Sequence, residues 1–106
     1  MLIVTMNDLP GYRVTAIIGL VRGVTVRSRS VIGNVGGAIQ SLFGGNLSIY
    51  TDLAEHARRE AYDLLVEHAR HAGADAVIAM RYDANEIMEG ITEVLAYGTA
   101  VKIEKL

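Results

Sequence analysis

Apolar residues return at steps of three and four through one long stretch of this chain, and fill strand-length runs on either side of it. Over residues 48–73 the positions Tyr50, Leu53, Ala54, Ala57, Ala61, Leu64, Leu65, His68, Ala69 and Ala72 form the stripe of a single helix. Glu55, Arg58, Arg59, Asp63, Glu67 and Arg70 fall mostly off it, with Glu55 and Arg59 in the favourable i,i+4 order. Ser48 or Thr51 can cap the start, Asp52 suits the dipole there, and Gly73 is the natural residue just past the end. The stripe is rich in alanine, and small side chains let a helix come close to whatever it covers.

Residues 12–26, 75–82 and 91–103 carry β-branched side chains without a helical stripe and read as strands. In the last of these, one face holds Ile91, Leu95, Tyr97, Val101 and Ile103. The other holds Val94, Ala96, Gly98 and Ala100, which are also apolar and small. A strand with one wet face would show polar residues there. A sheet apolar on both faces needs two covers, and one long helix supplies only one. A neighbouring subunit can supply the other.

Five glycines crowd residues 33–46, GNVGGAIQSLFGGN. A P-loop needs Lys and then Ser or Thr after its last glycine, whereas Gly37 is followed by Ala38 and Ile39. The spacing of Gly33, Gly36 and Gly37 also misses the dinucleotide pattern G-x-G-x-x-G. Ile32, Val35, Ile39, Leu42 and Phe43 keep helical spacing instead, so residues 30–43 read as a short helix capped by Ser30 and ended at Gly44 or Gly45. A glycine inside a helix costs about 1 kcal/mol against alanine. Gly33 and Gly37 lie one turn apart on one face, which suits a close backbone approach.

Composition narrows the function classes. The chain has 106 residues, the size of one domain spanning 1–106, and its 51% hydrophobic content against 21% charged is enough for a core. A net charge of −2 offers no basic footprint for nucleic acid. With no cysteine, disulfides, thiolate metal sites and cysteine nucleophiles are excluded. The opening MLIVTMNDLPG has no basic n-region and too short an apolar run for a signal peptide. The longest apolar run, residues 16–21, is far below a membrane span. A soluble, cytoplasmic protein is the expectation.

The run FGGNLSIYTDLAEHARREAYDLLVEHARHAGADAVIAMRYD, followed by YGTAV, resembles the YbjQ-like family, small bacterial and archaeal proteins carried as heavy-metal-binding domains. The likeness covers nearly the whole chain. It is strongest at Gly44 and Gly45 with Ser48 and Tyr50, at Ala57 and Arg58, and at residues 73–77 and 98–101. It implies an α+β fold: an antiparallel sheet backed by one long helix, with a short glycine-rich helix, similar to the dodecin subunit. It also implies assembly into a ring. The expected partner is the chain itself, as a homopentamer or a pair of stacked pentamers, with strand 91–103 and the glycine-rich helix at the contacts.

The family label raises a metal question. His56, His68 and His71, with Glu67, Asp75, Asp83, Glu86 and Glu89, are the ligand types available. His68 and His71 are three apart near the helix end, so their rings can meet over one face and hold a borderline ion such as zinc. Two histidines do not complete a shell, so a third donor must come from Glu67, the next loop or another subunit. Both also have structural uses, His68 in the apolar stripe and His71 at the helix dipole. His56 sits on the charged face. No serine stands in a nucleophile elbow, and Asp83, Glu86 and Glu89 in RYDANEIMEG read as a solvated loop or hairpin.

The expected function is therefore an oligomeric binding or scaffold protein without catalysis. One alternative is a heavy-metal-binding protein using His68 and His71 with carboxylates. A second is an enzyme or small-ligand binder at subunit interfaces, where Tyr50, Tyr62, Tyr82 and Tyr97 can form a wall.

Overall fold

A computed structural model describes residues 1–28 and 48–106. In chain order it holds strands β1 (Leu2–Ile3) and β2 (Tyr12–Ser28), helix α1 (Ser48–His71), and strands β3 (Ala76–Met88) and β4 (Ile91–Lys105). The four strands form one sheet in the order β1-β3-β4-β2. The long helix and the three expected strands are all present. The glycine-rich helix expected over residues 30–43, with its close approach at Gly33 and Gly37, lies outside the described residues.

The sheet is mixed rather than all antiparallel. β3 pairs with β4 and β4 with β2 in antiparallel fashion, but β1 runs parallel to β3, Leu2 opposite Ala76 and Ile3 opposite Val77. The chain continues this pairing past β1: Val4 N donates to Val77 O at 3.0 Å and Met80 N to Val4 O at 2.9 Å. A two-residue strand leaves no alternation to read, so tertiary pairing alone reveals it. β3 is also longer than the sequence suggests. Its polar end is held in the ladder by β4, Asp83 opposite Leu95 and Asn85 opposite Glu93. Asp83 and Glu86 thus lie on a strand, and Glu89 with Gly90 makes the hairpin turn.

Helix α1 buries Ala57, Ala61, Leu65 and Ala69, one residue per turn, against Val21, Val77, Met80, Val94, Ala96 and Ala100. The small face of β4 is therefore the one under the helix. Contact is closest at Gly23 of β2, where an added Cβ would lie 2.0 Å from Ala61 O and 2.5 Å from Leu65 N. No side chain fits there because helix backbone rests on strand backbone. The helix ends as expected at Gly73, whose φ is 80°. Gly73 N donates to Arg70 O and Ala74 N to Ala69 O, both at 3.0 Å, which satisfies carbonyls of the last turn. Asp52 lies beyond the first turn, and Glu55 pairs with Arg58 at 3.6 Å rather than with Arg59.

A bulge breaks the β3–β4 register between Ile78 and Arg81. Ala79 takes φ 54° there, and its N–H turns outward to Met6 O at 2.8 Å. Gly98 of β4 is crowded from β3: an added Cβ would meet the Val77 side chain at 2.6 Å and the backbone beside the bulge at Ile78 O, 3.1 Å, and Met80 Cα, 3.3 Å.

On the face away from the helix, Leu9 packs with Ala76 and Val101, flanked by Val4, Ile78 and Ile103. The N-terminal segment so provides part of the second cover that the sequence assigned to a neighbour. It reaches only one end of the sheet. Further along β2, Ile17 is 75% exposed and Leu20 68%, with Val24 and Val26 also exposed. Among the described residues no helix is long and apolar enough to cross a membrane.

Candidate functional site

Polar chemistry in this molecule collects where α1 overhangs β2. Thr25, the buried polar residue of the strand, donates its hydroxyl to Glu60 at 3.1 Å. Arg27 donates to the same hydroxyl oxygen at 3.0 Å and forms an ion pair with Glu60. The Arg27 guanidinium first, and the Thr25 hydroxyl second, hold the Glu60 carboxyl below its ordinary range. About two turns further on, His68 Nδ1 accepts the backbone N–H of Arg22 at 3.1 Å. The same nitrogen lies 3.3 Å from the Arg22 carbonyl oxygen, so the ring meets both outward backbone groups of Arg22. These contacts clamp the helix to the strand, and the sequence did not mark Thr25, Arg27 or Glu60. Their partners are 33 to 46 residues away, so no local spacing carries the signal.

The metal candidates are dispersed. His68 continues the helical steps of the stripe but is exposed at its border, where it meets the strand. His71 is exposed in the last turn, and His56 is exposed on the outer side of the helix. Asp75 accepts Ile103 N–H at 3.0 Å, Asp83 accepts from Asn85 at 3.2 Å, and Glu86 accepts Gly90 N–H at 2.9 Å. Among the described residues no three histidine, aspartate or glutamate side chains come together as a metal shell. One nitrogen of His68 is already engaged. The described part of a single chain therefore does not fit a metal ion.

Two open depressions remain. One, about 410 Å3, lies between Glu55, Arg58, Arg59 and Tyr82. Burial, and next the nearby Tyr62, push the Tyr82 phenol above its ordinary value. The other, about 400 Å3, lies on the open sheet face between Leu20, Arg22, Val24, Asp83, Glu93, Leu95 and Tyr97. Tyr97 and Tyr82 thus line different hollows, and Tyr62 is half-buried against the core. The side chain of Tyr50 lies outside those described. Among the described residues no buried side-chain polar atom lacks a partner, so none is left aimed at a ligand.

A small α+β chain with a long helix clamped to a sheet defines the class, and comparison with known proteins places it more closely. A family model described as "Putative heavy-metal-binding", YbjQ_1, matches residues 1–104. The chain belongs to this YbjQ-like family. It is 62% identical over 105 residues to a UPF0145 protein of Chromobacterium violaceum, covering 99% of this chain and 90% of the relative. A UPF0145 protein of Solibacter usitatus is 55% identical over 101 residues, covering 95% and 90%. Among solved structures, a DUF74-family protein of unknown function from Pediococcus pentosaceus superposes with a TM-score of 0.64 at 18% identity, over 98% of both chains. That likeness concerns the fold.

Proposed function

We propose that this chain is the subunit of a cytoplasmic homo-oligomer that acts as a binding or scaffold protein without catalysis. The ring expected from the family resemblance, a dodecin-like pentamer or a stacked pair of pentamers, is the architecture proposed. One observation carries the reading: large apolar side chains stand in water on an ordered strand, with Ile17 75% and Leu20 68% exposed, Leu20 in the same hollow as Leu95 and Tyr97. Burying such a side chain fully contributes about 1.5–3 kcal/mol. A second copy of the chain gains that from both partners at once, and closed symmetry leaves no such surface over.

The absence of catalysis is part of the same proposal. The carboxylates considered for acid–base chemistry, Asp83 and Glu86, sit on an exposed strand with local hydrogen-bond partners. Small ligands would then bind at hollows completed by a second subunit, the Leu20–Tyr97 depression first. The family description invites a role for His68 and His71 in holding a metal such as zinc. With Nδ1 of His68 engaged by Arg22, such a site needs donors from another copy, so it too depends on assembly.

Leu20→Asp tests the contact. In an isolated subunit an exposed side chain tolerates aspartate, whereas in a buried contact it forces an unpaired carboxylate into an apolar surface. Sedimentation equilibrium is expected to find an assembly for the parent chain and folded, dissociated subunits for the variant. An unchanged assembly in Leu20→Asp places the contact elsewhere.

A further inference from the structure

We propose that the outer edge of β3, from Tyr82 to Glu86, is where a second copy of this chain adds on, strand to strand and antiparallel, about a two-fold axis at Ala84. This rests on the assembly reading in its stacked-pair form, since a single five-membered ring has no two-fold axis.

The ladder shows which backbone groups face outward. In an antiparallel pair both groups of a residue face the same side, and the side alternates along the strand. His68 reaches the N–H of Arg22 from outside the sheet, so Arg22 faces away from β4. Its partner Tyr97 therefore faces β3 and bonds with Arg81. Tyr82, Ala84 and Glu86, the alternate residues, direct their N–H and C=O groups away from β4. The same alternation turns Val24 and Val26 outward on β2, and the Val26 carbonyl is indeed met from outside, by Arg27 Nη1 at 3.4 Å.

The two outer edges are therefore unequal. On β2, His68 takes the Arg22 N–H and Arg27 covers the Val26 carbonyl. On β3, the N-terminal segment covers the edge only to the bulge: Met6 O takes Ala79 N–H, and Thr5 O takes the Arg81 guanidinium. Past that point β1 has ended, and no backbone hydrogen bond from the described residues reaches the outward groups of Tyr82 or Ala84. Neither proline nor lysine stands there.

The edge is self-complementary when centred on Ala84. With Ala84 opposite Ala84, Asp83 faces Asn85 of the second copy and Tyr82 faces Glu86 of the second copy. Within the chain Asn85 already donates to Asp83, so this pairing repeats a compatible contact between copies. Centring on Asp83 or on Glu86 instead sets two like carboxylates opposite each other, which is destabilising. Charge thus favours a second copy in this alignment over those two slips, and the N-terminal segment already occupies the edge that a shift towards Met80 would need.

Ala84→Pro is the test. The Ala84 N–H makes no bond to β4, so proline there spares the ladder of the subunit and removes only an edge donor. Native mass spectrometry is expected to show the subunit number falling to half or less, with far-UV circular dichroism unchanged. Amide exchange on the parent chain gives a reading independent of any variant. In the assembly the amides of Tyr82 and Ala84 should exchange at least about tenfold more slowly than that of the exposed turn residue Glu89. An unchanged subunit number in folded Ala84→Pro, or fast exchange at Tyr82 and Ala84 in the assembled parent, overturns the contact and leaves the assembly reading standing. A monomeric parent chain overturns both.

Discussion

Along β2 the helix overhangs the sheet: Gly23 lets α1 settle onto the strand, Glu60 grips Thr25 and Arg27, and His68 takes an outward N–H. Along the far half of β3 the sheet simply stops, and the exposed side chains of Tyr82, Ile87 and Met88 border it. Both edges belong to the same four strands, so what distinguishes them is where helix α1 lies. α1 packs chiefly on β2 and β4 and barely touches β3. Helix α1 guards one edge and one face, and what the described residues leave uncovered is the surface on which self-assembly is proposed.

The sharpest way to break this contrast is to lift the helix. Gly23→Ala inserts a Cβ into helix backbone, which cannot yield like the end of a flexible side chain. We expect a cost of about 3 kcal/mol, the upper end of overpacking penalties, read as a lowered urea midpoint. A cost below about 1 kcal/mol would mean that the helix is not seated on the strand as described.

His68→Ala should be milder and more local. Loss of one net hydrogen bond costs about 0.5–1.5 kcal/mol, and amide exchange at Arg22 should accelerate while that at Ala96, in the core, does not. Equal protection at Arg22 in the variant would show that the imidazole does not guard the edge.

The smallest effect concerns pH. Because Arg27 and Thr25 hold the Glu60 carboxyl below its ordinary 4.5, the folded chain binds that proton less well than the unfolded chain. The clamp therefore stabilises above about 4.5 and loses its contribution as pH falls through the lower, folded value. Thermal melts should show Glu60→Gln less stable than the parent at pH 7, with the gap closing in acid. A gap that persists unchanged below the folded value contradicts the clamp.

These features differ in how far the sequence discloses them. The Ala57, Ala61, Leu65, Ala69 seam is plain in the three-and-four spacing, because a helix covering a sheet must repeat its buried face every turn. Gly73 is legible as a helix stop for a backbone reason, and the small residues Val94, Ala96, Gly98 and Ala100 do lie under the alanine seam. The remainder depends on pairings distant in sequence. β1 is too short for a pattern, and the polar end of β3 resembles a loop because its strand conformation comes from β4 rather than from its own residues. His68 steps with the apolar stripe yet serves the β2 edge, since a position at the border of a helical face can turn to a neighbour that periodicity does not reveal.

The claim that the uncovered edge and face belong to an assembly is tested most directly by native mass spectrometry of the untagged parent chain at low micromolar concentration. A homo-oligomer with no free subunit is the predicted result, ten copies where the two-fold contact at Ala84 joins two five-membered rings and five for a ring without that contact. A folded species at the single-chain mass of 11.4 kDa would contradict it.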